Sequence, residues 1–229
     1  MVNFNQEQHT AEWHRSRLGR VTGSRVGALM KSGRSKSDLF SATAKTYLFQ
    51  LAGERMLNPE IVNDDQMLFF FLDQTTSQSK AMRFGSEQED NARNMYVETT
   101  GHDVRQVGLC PHNRIPTFAS SPDGVTADND DLGCIEIKCP SIGTFAQYAA
   151  EIKDNTSLFN INPDYYYQCQ SHMACTDSAF CDFVIYCPFV ESPLHVVRIK
   201  RDDDAIQKIE ERVSLAEKYI QDIINKTQN

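Results

Sequence analysis

Apolar positions follow a helical period towards both ends of this 229-residue chain and a period of two in its middle. Tyr47, Leu48 and Leu51 share one face of a predicted helix, whereas alternation begins after Gly101. The predicted helices span residues 10–17, 25–30, 43–56, 86–100, 141–152, 163–174 and 202–225. The predicted strands span residues 102–110, 117–120, 124–127, 132–138, 180–187 and 194–200. Residues 58–80 show no clean period and are predicted to be irregular, with a short helix near residues 67–72.

This order of elements predicts one α/β or α+β domain over residues 1–229, in which helices flank a mostly antiparallel sheet. No internal repeat or interdomain linker interrupts the pattern. The longest apolar run, residues 67–72, is too short to span a membrane. The first residues also lack the basic and apolar stretches of a signal peptide, so we expect a cytoplasmic protein.

The seven cysteines are interpreted as free thiols of a reducing compartment, because their number is odd. Cys169, Cys175, Cys181 and Cys187 recur every six residues. A zinc or iron-sulfur site is disfavoured because closely spaced cysteine pairs are absent. We therefore expect these four side chains to face the core.

The formal charge of −8 argues weakly against indiscriminate nucleic-acid binding. Charge alone favours a small-molecule or protein partner. Any nucleic-acid function must therefore be argued from specific residues.

Three residues near the middle of the chain carry the candidate chemistry. Glu136 and Lys138 alternate along a predicted strand and therefore project from one face, and Asp123 lies in a turn just before the preceding strand. A hairpin would bring the two carboxylates together, where a cation such as Mg²⁺ would offset their repulsion. Such a metal can activate water for phosphodiester hydrolysis, with Lys138 orienting the nucleophile or stabilising phosphate charge. Either motif alone is weak, since E-x-K is common on exposed strands and P-D-G is an ordinary turn.

Four ordered blocks resemble the lambda exonuclease and YqaJ-like viral recombinase family of the PD-(D/E)XK nuclease superfamily. The resemblance extends from Trp13 to about Cys187. The blocks are W-H-R-S-R-L-G-R-V-T-G-S at residues 13–24, G-x-x-x-E-x-x-A-R at 85–93, S-P-D-G with E-I-K-C-P at 121–124 and 136–140, and Y-x-x-Q-x-Q at 165–170. It implies a restriction-endonuclease-like PD-(D/E)XK core with a central mixed sheet flanked by helices. Residues 64–80 form a longer segment than we expect in close relatives.

The resemblance also implies roles for individual residues. Asp123, Glu136 and the main-chain carbonyl of Ile137 would ligate the metal, and Glu89 would join them, through water if not directly. Lys138 would be the catalytic lysine. Two residues of the last block, Gln168 and Tyr165, would border the site and orient water or phosphate. From the residues alone, Glu89 is better explained as a solvated helix residue, and one or more of the tyrosines at 165–167 as part of an aromatic core.

A second group of residues matches the family's pocket for a 5′-terminal phosphate. Arg17 would grip the phosphate through its guanidinium, assisted by Ser24 near a helix N-terminus and by Ser121. Lys31, Arg34 and Lys36 lie in a basic loop that would contact the DNA backbone, although a solvated loop explains them equally well.

The function implied is a Mg²⁺-dependent 5′→3′ exonuclease acting on double-stranded DNA ends. It would release 5′-mononucleotides and leave 3′ single-stranded tails for a phage-type annealing protein. Mn²⁺ would substitute for Mg²⁺, no iron-sulfur cluster is expected since the first cysteine is Cys110, and the enzyme would form a homotrimer without membrane contact. The alternatives are a PD-(D/E)XK endonuclease of restriction or repair and a non-catalytic DNA-binding module.

Overall fold

The computed structural model describes residues 6–33, 38–76 and 79–228. In these ranges the helices are α1 Ala11–Arg17, α2 Gly23–Met30, α3 Ala42–Arg55, α4 Pro59–Asn63, α5 Asp65–Thr75, α6 Lys80–Thr100, α7 Ile142–Glu151, α8 Asn155–Ile161, α9 Pro163–Thr176 and α10 Asp203–Gln228. The strands are β1 Val21–Thr22, β2 Cys110–Pro111, β3 Phe118–Ser120, β4 Gly124–Asp128, β5 Asp131–Lys138, β6 Phe180–Tyr186 and β7 Leu194–Lys200.

Two mixed sheets organise the chain. The larger has the order β4-β5-β6-β7, with a parallel β5–β6 pair between two antiparallel pairs. The parallel pair follows from its connection, since α7, α8 and α9 carry the chain back across the sheet before β6 begins. The smaller sheet has the order β1-β3-β2 and includes β1, which the sequence pattern did not predict. The predicted fold class, with its mixed sheet between helices, is confirmed.

The two faces of β5 carry different chemistry. Ile135 and Ile137 pack against α6 on one face. Cys134 contributes to the larger apolar core on the other face, which α9 covers, and α10 packs against α9. Because side chains alternate along a strand, Glu136 and Lys138 project to this second face.

Helix α2 packs closely against α9 and β3 because it has glycines at the contact positions. A β-carbon at Gly27 would lie only 2.9 Å from the Cα atom of Asp164. One turn earlier, a β-carbon at Gly23 would overlap the side chain of Ser120 on β3. These glycines let the N-terminus of α2 reach the same region as the middle of α9, and the candidate site lies there.

The short helix predicted near residues 67–72 is confirmed within α5. The prediction that the rest of 58–80 is irregular was wrong, because the described residues of this segment are largely helical. Asn58 and Asp64 cap α4 and α5 by accepting hydrogen bonds from the backbone N–H groups of Glu60 and Met67, at 3.0 and 2.9 Å. Only Leu68 of α5 is buried, so no apolar stripe marks the helix. Helix α6 also begins at Lys80 rather than at residue 86.

The strand predicted at 102–110 was also wrong. Apart from an isolated bridge between Arg105 and Val125, regular pairing starts only at Cys110. Two glutamine side chains replace a neighbouring strand, since Gln6 accepts from the Leu109 N–H at 2.9 Å and Gln8 donates to the Val107 carbonyl at 2.8 Å. The buried side chains of Val107 and Leu109 alternate with their neighbours as they would in a strand, although no strand among the described residues pairs with them. Helix α8, begun by an Asp154–Ser157 capping box, was not predicted.

The remaining predicted elements agree with the structure to within a few residues. The C-terminal helix α10 buries one apolar stripe, made of Ala205, Ile206, Ile209, Val213, Ala216 and Ile220. Cys169, Cys175, Cys181 and Cys187 are buried in the main core, as expected. In the part of the chain that the structure describes, no helix combines the length and apolar character of a membrane span.

The close approach of α2 and α9 predicts that Gly27→Ala destabilises the protein. The new methyl group would press on backbone, and overpacking of this kind costs about 1–3 kcal/mol, more than alanine gains in helix propensity. The control is Gly53→Ala in α3, where nothing lies within 4 Å of the added β-carbon. Urea unfolding should show a lower midpoint for Gly27→Ala and an unchanged or higher one for Gly53→Ala. A Gly27→Ala protein as stable as the parent would contradict this packing.

Candidate active site

A cavity of about 170 Å³ lies at the C-terminal end of β5, where helices α1, α2, α6 and α9 converge. Its lining brings together most of the residues singled out in the sequence. They are Gln8, Trp13, Arg17, Gly23, Ser24, Glu89, Ser121, Asp123, Glu136, Ile137, Lys138, Gln168 and His172. A larger cavity of about 810 Å³ between Arg114 and α10 contains none of the predicted site residues.

The hairpin β4–β5 fixes Asp123 beside the end of β5. The backbone N–H of Asp123 donates to the Ile135 carbonyl at 3.0 Å, and its carboxylate accepts from the Ile137 N–H at 2.6 Å. Arg93 of α6 donates to the Asp123 carbonyl at 3.2 Å. Asp123 is therefore held by both neighbouring elements.

Glu136 is buried and has a cationic or N–H partner on each carboxylate oxygen. Oε1 forms an ion pair with Lys138, and Oε2 lies 2.6 Å from Nε2 of His172. Burial opposes ionisation of Glu136, but Lys138 and His172 outweigh it and lower the pKa of Glu136 to about 2. The carboxylate is thus ionised at neutral pH, and its neighbours make it part of a site rather than of an exposed strand face.

The other two acidic groups have shifted pKa values in the opposite direction. Burial, followed by repulsion from Glu136 and Glu89, raises the pKa of Asp123 well above its usual value. Burial and repulsion from Glu136 likewise raise the pKa of Glu89. Glu89 is half-buried and faces the cavity, whereas Glu87 and Asp90 beside it are exposed. The solvated interpretation of Glu89 therefore does not fit its position.

Lys138 lies between the carboxylates and an aromatic ring. Its Nζ atom is 4.7 Å from the ring centroid of Tyr165. Burial opposes protonation, but the charges of Glu136 and Asp123 outweigh it and raise the pKa of Lys138, so it is an ammonium group at neutral pH. Gln168 lines the same cavity, whereas Tyr165 borders an adjoining one.

The tyrosines at 165–167 divide between site and core. Tyr166 is buried, and its hydroxyl donates to Asp202 at 2.6 Å. Tyr165 packs edge-on against Tyr148, and tilted against Phe183. One of the three is thus a core residue, as the sequence interpretation allowed.

Arg17 and Ser121 meet in the lining of the same cavity. The Arg17 guanidinium lies 4.2 Å from the Trp13 ring centroid and donates to the Ser121 hydroxyl at 3.4 Å, which also accepts from the Trp13 indole at 3.1 Å. No ion pair joins Arg17 to an acidic side chain within the described ranges, so its charge remains available to an anion. Ser24, exposed at the N-terminus of α2, lines the same space.

Of the basic residues predicted to contact DNA, Lys31 does not line this cavity. Lys31 follows α2 at the end remote from Ser24 and pairs with Asp164 at 2.9 Å. Arg34 and Lys36 lie outside the described residues.

Sequence reasoning missed several residues of the site. His172 is the most prominent, and its spacing could have revealed it, since Tyr165, Gln168 and His172 share one face of α9 at i, i+3 and i+7. Gln8, which donates to the Pro122 carbonyl at 2.9 Å, follows no recognisable pattern. Its contribution depends on a fold that brings distant segments together.

The donor set of the cavity suits a hard divalent cation. Among the described residues, no three His, Cys, Asp or Glu side chains stand together as a ready-made metal cage. Mg²⁺ does not need one, because it usually binds one or two carboxylates and keeps several waters. Asp123 and Glu136 supply such carboxylates, and the repulsion that raises the pKa of Asp123 is the kind a cation relieves.

Two further cavities adjoin this one through shared residues. One, of about 480 Å³, shares Asp123 and Glu89 and extends past Arg93 and Gln106. The other, of about 400 Å³, shares Lys138 and Glu89 and extends past Met82 and Tyr165. The three cavities are therefore neighbours, and Glu89 contributes to the lining of each.

Comparison with known proteins assigns the family. The model of the YqaJ-like viral recombinase domain matches residues 12–179. The chain belongs to this family. LHK-Exo, an alkaline exonuclease from Laribacter hongkongensis, is similar over 96% of both chains, with 32% identity and a TM-score of 0.75. Its structure in complex with dAMP gives 33% identity and a TM-score of 0.74, again over 96% of both chains.

A more distant structure agrees in fold. The phage related exonuclease from Haemophilus somnus 129PT has 18% identity and a TM-score of 0.66, over 91% of this chain and 96% of that one. None of the curated proteins searched matches the chain. The resemblance to the YqaJ-like family seen in the sequence is confirmed, and the matched region contains the four blocks that carried it.

The acidic cavity predicts that Asp123→Asn stabilises the metal-free protein at pH 8. An unfolded aspartate ionises near pH 4, whereas burial and repulsion raise the pKa of Asp123 in the folded protein. The folded parent therefore binds more protons than the unfolded chain between these two pKa values and loses stability as the pH rises through them. Removing the charge should raise the melting temperature by about 2–4 °C, equivalent to roughly 1 kcal/mol.

The stabilisation should disappear at pH 4 and below, where the carboxyl of the parent is also protonated. Asp130→Asn, in the exposed β4–β5 turn, is the control and should show neither effect. Differential scanning calorimetry in EDTA measures both variants. A lower melting temperature for Asp123→Asn at pH 8 would indicate a structural role for the charge.

Proposed function

We propose that this protein is a Mg²⁺-dependent 5′→3′ exonuclease that acts on double-stranded DNA ends. It releases 5′-mononucleotides and leaves 3′ single-stranded tails for homologous recombination. The enzyme class follows from the family and from the similarity to LHK-Exo: the protein is a nuclease, a hydrolase acting on DNA. The observation that carries the finer proposal is a single cavity lined by Asp123, Glu136 and Lys138 together with Arg17.

Asp123, Glu136 and the Ile137 carbonyl would hold the divalent ion, with Glu89 joining through water. Such an ion polarises the scissile phosphate and lowers the pKa of the attacking water. The proposed ligands come from one hairpin, so the β4–β5 pairing sets their relative position. Mn²⁺, which accepts the same hard oxygen ligands, should replace Mg²⁺.

Lys138 acts as a cation rather than as a base. Its raised pKa keeps it protonated, so it donates hydrogen bonds to the phosphate or to the attacking water. The ring of Tyr165 supports the ammonium group from one side. Gln168, on the same helix, offers a neutral donor and acceptor to orient water or a phosphate oxygen.

Arg17 supports the direction of degradation. Its guanidinium, with Ser121 and Ser24 nearby, forms a site suited to the 5′-phosphate of the terminal nucleotide. With that phosphate bound, the next phosphate along the strand lies towards the carboxylates. Water then attacks this phosphorus, the P–O3′ bond breaks, and the departing 3′ oxygen takes a proton. The product is a 5′-mononucleotide, and the shortened strand again carries a 5′-phosphate.

The proposal extends to the protein's surroundings. We expect a cytoplasmic enzyme that forms a homotrimer on its DNA and works with a single-strand annealing protein. The chain aligns with LHK-Exo over 96% of both chains. This similarity supports treating the described domain as the catalytic unit of the homotrimer.

An endonuclease is the second candidate, because Asp123, Glu136 and Lys138 would serve it equally well. Arg17, which lines the same cavity as the carboxylates and forms no ion pair within the described ranges, favours the exonuclease. A phosphate pocket at a fixed distance from the reaction centre is useful only if cleavage is measured from an end.

Digestion of linear duplex DNA tests the proposal directly. With Mg²⁺, DNA labelled at the 5′ end should lose its label as mononucleotide, while label at the opposite 3′ end of each strand should persist. Closed circular DNA should resist, and EDTA should stop the reaction. Comparable cutting of closed circles would favour the endonuclease, and an absence of metal-dependent hydrolysis would favour the non-catalytic module.

Substitutions test the reaction centre. Asp123→Ala, Glu136→Ala and Lys138→Ala should each lower kcat by at least about 10²–10³-fold, the usual cost of removing one preorganised group that stabilises charge. Circular dichroism should show that the variants remain folded. Near-parental kcat in any one of them would remove that residue from the proposed centre.

Arg17 has a separate expected signature. Arg17→Ala should erase the preference for 5′-phosphorylated over 5′-hydroxyl ends, because charge-assisted hydrogen bonds contribute about 1.5–3 kcal/mol, or roughly 10–150-fold. The control is Arg20→Ala, since Arg20 donates to the Pro116 carbonyl and does not line the cavity. Rates on both DNA ends should be compared for the three proteins. An unchanged preference in Arg17→Ala would refute the role of the pocket.

A further inference from the structure

His172 is a buried histidine with a partner on each ring nitrogen. Its side chain is 1% exposed. Nε2 lies 2.6 Å from Oε2 of Glu136, and Nδ1 lies 2.7 Å from the Ser120 hydroxyl. The family blocks recognised in the sequence do not include this residue. It therefore requires an explanation of its own.

The hydrogen bonds define a direction. An ionised carboxylate can only accept, so Nε2 of His172 must donate to Glu136. The Ser120 hydroxyl can donate to a bare Nδ1 or accept from a protonated one. The chain of contacts is therefore satisfied whichever charge the imidazole carries, and the donor to Glu136 is present in both cases.

Packing fixes Ser120, which is the residue at the far end of these hydrogen bonds from Glu136. Ser120 ends β3 and is completely buried. Gly23 lies against its hydroxyl so closely that a β-carbon would overlap it. The hydroxyl thus has little freedom to turn away, and the orientation of the imidazole follows from it.

Glu136 needs this support more than an exposed carboxylate would. Its other oxygen pairs with Lys138, a flexible side chain that also borders the open cavity. If Lys138 moves towards a phosphate, His172 remains as the partner that keeps the carboxylate in place. Partners behind a metal ligand commonly act in this way, and losing one weakens metal binding by about 10–100-fold.

We infer that His172, backed by Ser120, is a positioning residue that holds the Glu136 carboxylate in the orientation required for divalent-ion binding. The inference rests on the proposed function, because it takes Glu136 as a metal ligand. It adds a residue whose effect reaches the metal through Glu136.

The chain provides a matched control in His112. This histidine is also buried, its Nε2 pairs with a carboxylate oxygen of Glu210 at 3.0 Å, and its Nδ1 accepts from backbone N–H groups. It lies away from the cavity. Replacing either histidine removes a buried histidine–carboxylate pair, but only His172 contacts Glu136.

The test measures binding of Mn²⁺ alone, without DNA, from the electron paramagnetic resonance signal of the free ion. His172→Ala should raise the Kd for Mn²⁺ about 10–100-fold, whereas His172→Gln, whose amide can donate at similar reach, should stay within a few-fold of the parent. Ser120→Ala should give an intermediate increase. His112→Ala should leave the Kd unchanged although it lowers the melting temperature.

The outcomes separate this inference from the function on which it rests. A folded His172→Ala protein that binds Mn²⁺ like the parent would overturn the inference, provided that Glu136→Gln has lost binding. If His172→Ala does not fold, equal affinity of Ser120→Ala and the parent overturns it instead. A parent that binds no Mn²⁺ would overturn both the metal-dependent function and the positioning role.

Discussion

The candidate site depends on keeping negative charge on buried side chains around a small cavity. Glu136 is buried, and burial alone would favour its neutral form. Lys138 and His172 supply the compensation, one on each oxygen, and they come from different elements. The Ile137 N–H and the charge of Lys138 stabilise the Asp123 carboxylate, but burial and repulsion from Glu136 and Glu89 outweigh them and raise its pKa. The charge of Glu136 is compensated by its neighbours, whereas that of Asp123 is not. A cation is therefore most favourable beside Asp123.

The surrounding architecture serves this arrangement. The β4–β5 hairpin presents Asp123 beside the strand that carries Glu136 and Lys138. Helix α9 crosses the same face with Gln168 and His172, and it comes close to α2 because two glycines leave room. The sheet therefore fixes the acidic groups, while the helices fix the groups that neutralise or orient them.

Much of the fold follows from local pattern, and its errors have physical causes. The shared face of Tyr47, Leu48 and Leu51 predicted α3, and alternation predicted the two strands of the hairpin β4–β5. Helix α5 has a single buried residue, so periodicity could not reveal its full length. The segment before Cys110 looks like a strand because its side chains alternate, yet glutamine amides take the place of a neighbouring strand.

The candidate site shows the same division. Asp123, Glu136 and Lys138 lie on one hairpin, so spacing alone could place them together. Arg17 and Glu89 required the family resemblance, since neither is distinctive among other charged helix residues. Ser120 and Gln8 have no signature in the sequence, because their contacts to His172 and Pro122 exist only in the assembled fold.

The parallel pairing of β5 with β6 also bears on how the protein matures. Glu136 and His172 are 36 residues apart, and α7, α8 and the first part of α9 must carry the chain back across the sheet before the two side chains can meet. Closing such a long connection loses chain entropy before native contacts offset the loss. Non-local pairing of this kind therefore forms late in folding. A nascent chain thus contains its acidic hairpin before the helix that orders it. Hydrolytic competence would therefore appear only as folding is completed, and incomplete chains would pose little danger to the DNA around them.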